Sequence, residues 1–308
     1  MNFLKLIRYQ NLLLLAFMQL LFRYGFLNLQ NIPLALNDWQ YVLLILSTVL
    51  IAAAGYVINN ILDQETDQIN KPKDCIVGKS ISEVAAYNIY IVLNSIGVAI
   101  GFYLANIIGK PNFASLFIVI AATLYMYATT LKKMAIIGNL IVALLLSISV
   151  LIIGIFNLYP AITNNNQAVM GSLFSVLMDY AFYAFMINFL RELVKDMEDI
   201  NGDYNQGMNT LPIILGIKRS KNIVLGLSFI PIILITIYIN TYLLPFRLYI
   251  AMAYSIVLIL APLLLFSAKL ATATTQKEFY SLSILLKWIL LFGIFSILVL
   301  NLNIKYNA

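Results

Sequence analysis

IIGNLIVALLLSISVLIIGIFN, residues 136–157, is 22 residues long and carries no charge, close to the ~20 apolar residues that take a helix across a bilayer. Similar runs, parted by short polar breaks, recur near 11–28, 40–61, 86–108, 113–131, 168–189, 222–241, 248–268 and 280–301. Hydrophobic residues make up 62% of the 308-residue chain and charged ones 10%, against roughly 25% charged in a soluble domain. Mean hydropathy is +0.92. No aqueous fold hides that much apolar surface, so the pattern predicts an all-α polytopic membrane bundle of nine transmembrane helices. It is read as one domain over 1–308, built of two similar halves, about 1–157 and 158–308. The first run follows Lys5 and Arg8 as a signal peptide would, but it continues through Phe22, Tyr24 and Phe26 with no small-residue cleavage site, so it is read as a retained helix.

Nine spans with an internal N-terminus assign every loop to a side. Fourteen Lys and Arg residues then fall on the cytoplasmic side and three, Lys110, Arg247 and Lys305, on the other. Arg23 and Lys287 lie within spans, near enough to the ends to snorkel. The positive-inside rule favours this orientation in the cell membrane. It also accounts for most of the net charge of +6, and neither a nucleic-acid module nor a feature demanding a protein partner is apparent.

The single cysteine, Cys75, rules out an intrachain disulfide. The absence of histidine removes His-base catalysis and His-containing zinc sites. Any bound metal is then expected to be a hard ion on oxygen ligands.

Ten of the thirteen acidic residues fall in two windows: Asp63, Glu65, Asp67, Asp74 and Glu83, then Glu192, Asp196, Glu198, Asp199 and Asp203. In the topology above both windows sit at the cytoplasmic ends of spans two and six, where they can face each other. Asn59, Asp63 and Asp67 are four apart, and Asp196, Asp199 and Asp203 follow a three-then-four step, so each set lines one helix face. Like charges stacked at a negative helix C-terminus are unfavourable without cations. Taken singly, such windows read as solvated loop acids; matched at equivalent helix ends, they point to divalent metal. Carboxylates, Mg²⁺ and nearby Lys and Arg suit a diphosphate, and a site embedded in lipid suits a polyprenyl diphosphate.

The two windows, NNILDQETDQINKPKDCIVGKSIS (residues 59–82) and RELVKDMEDINGDYNQGMNTLP (residues 191–212), resemble the paired signatures of the UbiA family of intramembrane prenyltransferases. NxxxDxxxD is met by Asn59, Asp63 and Asp67, and KDxxDxxGD by Lys195, Asp196, Asp199, Gly202 and Asp203. Arg8 and Asn11 resemble an RPxN element, and Tyr125, Leu131, Lys132 and Lys133 a YxxxxxLKK element before Asn139. The resemblance implies a helical bundle around a central cavity, with Asn59, Asp63, Asp67, Asp196, Asp199 and Asp203 holding Mg²⁺ and diphosphate. It makes Asp63, Asp67, Asp196, Asp199, Asp203 and Lys195 the catalytic set, and Asn59, Arg8, Asn11, Lys73, Lys132 and Lys133 the substrate contacts, with function favoured for one of the two adjacent lysines. Tyr9 in place of the usual proline, and Lys73-Asp74-Cys75 in place of a basic-then-proline step, depart from the pattern. INKP, GKSIS and EDINGD with TLP look most like members that alkylate the free hydroxyl of a prenylated glycerol phosphate, the digeranylgeranylglyceryl phosphate synthases. Transfer to a naphthoate or benzoate acceptor in quinone biosynthesis, or a non-enzymatic membrane carrier, are the competing readings. Asp179, an acid inside span six, is expected to line a cavity or serve structure.

Overall fold

The computed structural model describes residues 2–64 and 75–307, so expectations for Glu65, Asp67, Lys71, Lys73 and Asp74 lie outside the described residues. Among those described, nine helices are long and apolar enough to span a membrane: α1 (Tyr9–Gln30), α2 (Asp38–Leu62), α3 (Glu83–Ile107), α4 (Pro111–Thr129), α5 (Ile137–Ala161), α6 (Gln167–Glu198), α7 (Ile217–Leu243), α8 (Tyr249–Thr272) and α9 (Gln276–Tyr306). Each predicted span appears. The largest departure is at α6, which continues to Glu198 where the apolar signal ends near 189. Hydropathy sees only the part in lipid; the extension is amphiphilic and forms a wall of the polar cavity described below.

Helix starts follow local chemistry. Asn37 closes a capping box on α2, its Oδ1 accepting from the Gln40 amide while Gln40 Oε1 accepts from the Asn37 amide, both at 2.9 Å. Ser82 accepts from the Ala85 amide at the start of α3. Two π-helical turns, Ile239–Leu243 and Ile256–Leu260, interrupt α7 and α8.

Between apolar helices in lipid, association depends on close packing and polar contacts. Ser47 on α2 donates to the Gly97 carbonyl of α3 at 2.7 Å. A Cβ on Gly97 would sit 2.7 Å from Ile51, so only glycine allows this approach. Ser147 on α5 donates to the Ala181 carbonyl of α6 at 2.8 Å. Tyr180 on α6 meets Ser296 on α9, and Ser228 on α7 meets Ser267 on α8, each at 2.8 Å. α6 is thereby clasped by both α5 and α9, which fixes its charged extension in the middle of the bundle.

Candidate active site

The charged ends of α2 and α6 meet across one cavity of about 670 Å³, whose wall includes Arg8, Asn11, Asn59, Asp63, Lys132, Lys195, Asp196, Asp199 and Asp203. α2 stops at Leu62, with the Asp63 amide donating to the Asn59 carbonyl at 2.9 Å. Asn59 and Asp63 therefore share one turn and one wall. The Asn59 Oδ1 is buried with no hydrogen-bond partner among the described residues, an arrangement that costs stability unless a ligand or ion completes it. Asp67 and Lys73 lie outside the described residues.

From the other side, α6 presents Glu192, Lys195 and Asp196. The Asp199 amide then caps the helix on the Lys195 carbonyl at 2.8 Å, and a short helix, Ile200–Asn205, carries Asp203, which is 8% exposed. Asn139 of α5 donates to Asp196 Oδ2 at 3.0 Å and orients that carboxylate. Thr210, just beyond, also lines the cavity with a buried, unbonded Oγ1.

Cations complete the wall. Lys132, on the Leu131–Lys133 turn, forms an ion pair with Asp63, both side chains being largely buried. Lys195 Nζ donates to both Glu192 oxygens at 2.9 and 3.2 Å. Arg8 adopts a left-handed backbone (φ 49°) between the Asn2–Leu6 helix and α1, a conformation rare for a non-glycine residue and common at functional sites. It is held by the Tyr56 ring 5.4 Å away and by Asn60, whose amide donates to the Leu6 carbonyl.

Lys133 departs from the sequence expectation, and two further placements go beyond it. Lys133 is exposed and absent from the cavity wall; adjacent residues of a tight turn point apart, and only Lys132 enters. Tyr125 is exposed beside Tyr90, while Tyr127 lines the cavity. Glu192 was read only as one acid of a cluster, yet it bridges Lys195 and Arg191, the latter at 3.3 Å. Its position one turn before Lys195 was the available signal.

Two further spaces adjoin. A largely apolar one of about 260 Å³ runs from Asn59 and Tyr127 down past Leu15, Ile51, Phe117 and Leu145. A smaller one of about 130 Å³ lies between α1, α6 and α9, and Asn11 borders all three. A polar head and a hydrocarbon tail thus have contiguous places.

The donor set is oxygen-only, from Asn and Asp, as a hard divalent ion requires. Among the described residues no three acids stand close enough to hold a metal by themselves.

Comparison with known proteins gives one answer. The chain is similar to curated digeranylgeranylglyceryl phosphate synthases: 38% identical to that of Sulfolobus acidocaldarius over 58% of this chain and 59% of the relative, and 34% identical to that of Methanothermobacter thermautotrophicus over 64% of each. The match therefore spans less than two thirds of these two relatives' length. With the Thermococcus kodakarensis synthase it reaches 77% of this chain and 76% of the relative, at 32% identity. The fold matches a solved structure from a study of digeranylgeranylglyceryl phosphate synthase in membranes (TM-score 0.61, 23% identity, covering 96% of this chain and 98% of that one). It also matches a UbiA homolog from Archaeoglobus fulgidus bound to DMAPP and Mg²⁺ (TM-score 0.61, 16% identity, covering 96% and 99%). The model of the UbiA prenyltransferase family matches residues 25–291, and the chain belongs to that family.

Proposed function

We propose that the protein is a Mg²⁺-dependent prenyltransferase that moves a geranylgeranyl-type group from its diphosphate to the free hydroxyl of a prenylated glycerol phosphate, forming an ether-linked membrane lipid. The observation that carries this reading is the convergence of two acidic helix ends and four cations, Lys5, Arg8, Lys132 and Lys195, on one cavity that continues into a largely apolar one. Relatives at 32–38% identity that bear the synthase name support the acceptor class. The excess of Lys and Arg on the same side of the bundle supports placing the N-terminus and this cavity on the cytoplasmic face.

When bound, Mg²⁺ would be held by Asn59, Asp63, Asp67, Asp196, Asp199 and Asp203 together with the diphosphate, and would neutralise charge on the departing group. Lys132, Lys195 and Arg8 supply the remaining positive charge around the diphosphate, where it develops most in the transition state. The allylic C–O bond breaks with its electron pair going to the diphosphate oxygen. The acceptor hydroxyl oxygen then forms the new C–O bond and loses its proton to solvent. The apolar walls around the tail exclude water that would otherwise capture the allylic cation.

The test is turnover of labelled geranylgeranyl diphosphate by purified protein with each acceptor class. Ether-lipid product that requires Mg²⁺, and that falls by ~10²-fold or more in Asp63→Ala and Asp199→Ala, is the expected result. Product only with a naphthoate or benzoate would end the ether-lipid reading. Metal-independent behaviour with no diphosphate release would favour a carrier instead.

A further inference from the structure

The bundle holds a second cluster of positive charge that the diphosphate site does not use. Lys287 lies 11 residues into α9, about 16 Å along the helix from Gln276. Its ammonium turns inward and donates to Asn11 Oδ1 on α1 at 3.1 Å. It lines the 130 Å³ space together with Arg191 of α6, so two cations border one small cavity. Among the described residues the one side-chain hydrogen bond of Lys287 is to this neutral oxygen of Asn11. Among the described residues the one acid paired with Arg191 is Glu192, whose two oxygens also accept from Lys195. A charge inside a span is costly and is retained where it faces a partner. Two adjacent cations with one shared carboxylate lack that partner unless an anion joins them.

Which anion follows from the surroundings. Beyond these cations the wall is mixed: Leu14, Met18, Phe22, Leu290 and Ile294 give it an apolar stretch long enough for a hydrocarbon chain, beside the polar groups of Ser149, Tyr183 and Asn188. Its ligand therefore has an anionic head and a hydrocarbon tail. Arg191 precedes Lys195 by four residues, about 6 Å of helix rise. An anion seated on Arg191 and Lys287 lies one turn below the cations expected around the diphosphate. In a prenylated glycerol phosphate the free hydroxyl is on the carbon next to the phosphoester, so its reach matches that short step.

We infer that Lys287 and Arg191, with Asn11 holding the lysine, form a metal-independent site for the phosphate of the acceptor lipid. The assignment rests on the acceptor class proposed above. It makes Lys287 and Arg191 the discriminators between a phosphorylated and an unphosphorylated glycerol lipid.

The experiment is equilibrium binding of geranylgeranylglyceryl phosphate, and of the same lipid without phosphate, to detergent-purified full-length protein in EDTA, beside steady-state kinetics in Mg²⁺. Wild type should prefer the phosphorylated lipid. Lys287→Met should weaken it by ~10- to 100-fold, the loss expected for a hydrogen bond to a charged group, while KM for geranylgeranyl diphosphate stays within about two-fold. Lys287→Arg should recover most of the affinity. Equal binding of the two lipids by wild type, unchanged binding by Lys287→Met, or a parallel rise in the diphosphate KM would each overturn the inference. Discriminating binding without turnover of the glycerol phosphate acceptor would leave this site standing and remove the proposed reaction.

Discussion

Arg23 and Lys287 are the two basic residues placed inside spans by the sequence, and the structure uses them in opposite ways. Arg23 is 4% exposed and closed off: its Nη1 donates to Asn157 Oδ1, its Nη2 to the Leu36 carbonyl, its guanidinium lies 5.0 Å from the Tyr41 ring, and Asp38 stands 3.7 Å away. It ties the ends of α1, α2 and α5 together far from the acidic cavity. Lys287 has one neutral acceptor, and its neighbour Arg191 shares a carboxylate. Both turn into the bundle. Where a buried cation is bonded by the protein to several segments and an acid, as Arg23 is through both Nη atoms, it is a fastener, and where it borders a cavity with one neutral acceptor it is open to an anion.

The contrast is sharpest at Lys132, a cation at the acidic end whose removal should be felt in chemistry rather than folding. Lys132→Met leaves Asp63 buried and unpaired and takes one positive charge from the place where diphosphate charge develops. Diphosphate release should fall by ~10²- to 10³-fold, the loss typical of deleting one preorganised donor. Single-turnover kinetics at saturating Mg²⁺ measures it. A drop under ten-fold would mean that Lys132 only balances Asp63, as Arg23 balances its own neighbours.

Arg23→Leu tests the other pole. It strands the Leu36 carbonyl and Asn157 Oδ1 in a buried setting, each costing ~1–3 kcal/mol, so stability should fall by about 2–6 kcal/mol in total. Thermal unfolding in detergent should show this, while kcat per folded molecule at low temperature stays within about two-fold. Loss of turnover without loss of stability would show that the two ends are coupled.

The fold was legible because the bilayer imposes one length and one polarity on every span, and 22 uncharged residues at 136–157 leave little choice. Asn59 with Asp63, and Asp196 with Asp199 and Asp203, do line one cavity, but not on unbroken helix faces: the helices end at Leu62 and Glu198, and Asp203 stands on the separate Ile200–Asn205 helix. What periodicity could not report was contact between distant segments. Lys287 meets Asn11 across 276 positions of sequence, and its inward turn depends on how α9 packs on α1 and α6. Arg23 could not be told from Lys287, since each is one charge in an apolar run. The pairing of Asn139 with Asp196 was hidden for the same reason.

Lys133 marks the smallest effect and the finest cut between the lysine pair. Its side chain is exposed and outside the cavity, but its carbonyl accepts from the Asn209 amide at 2.9 Å, joining the α4–α5 turn to the segment that follows the second acidic cluster. Lys133→Ala keeps that carbonyl and gives up only a solvated charge, a change that elsewhere on protein surfaces stays within about 0.5 kcal/mol. Turnover and both KM values should therefore stay within about two-fold, while Lys132→Met in the same assay loses most activity. If the two substitutions were instead equally damaging, the turn would deliver both ammonium groups to the substrate. The exposed placement of Lys133 would then fail to describe the working enzyme.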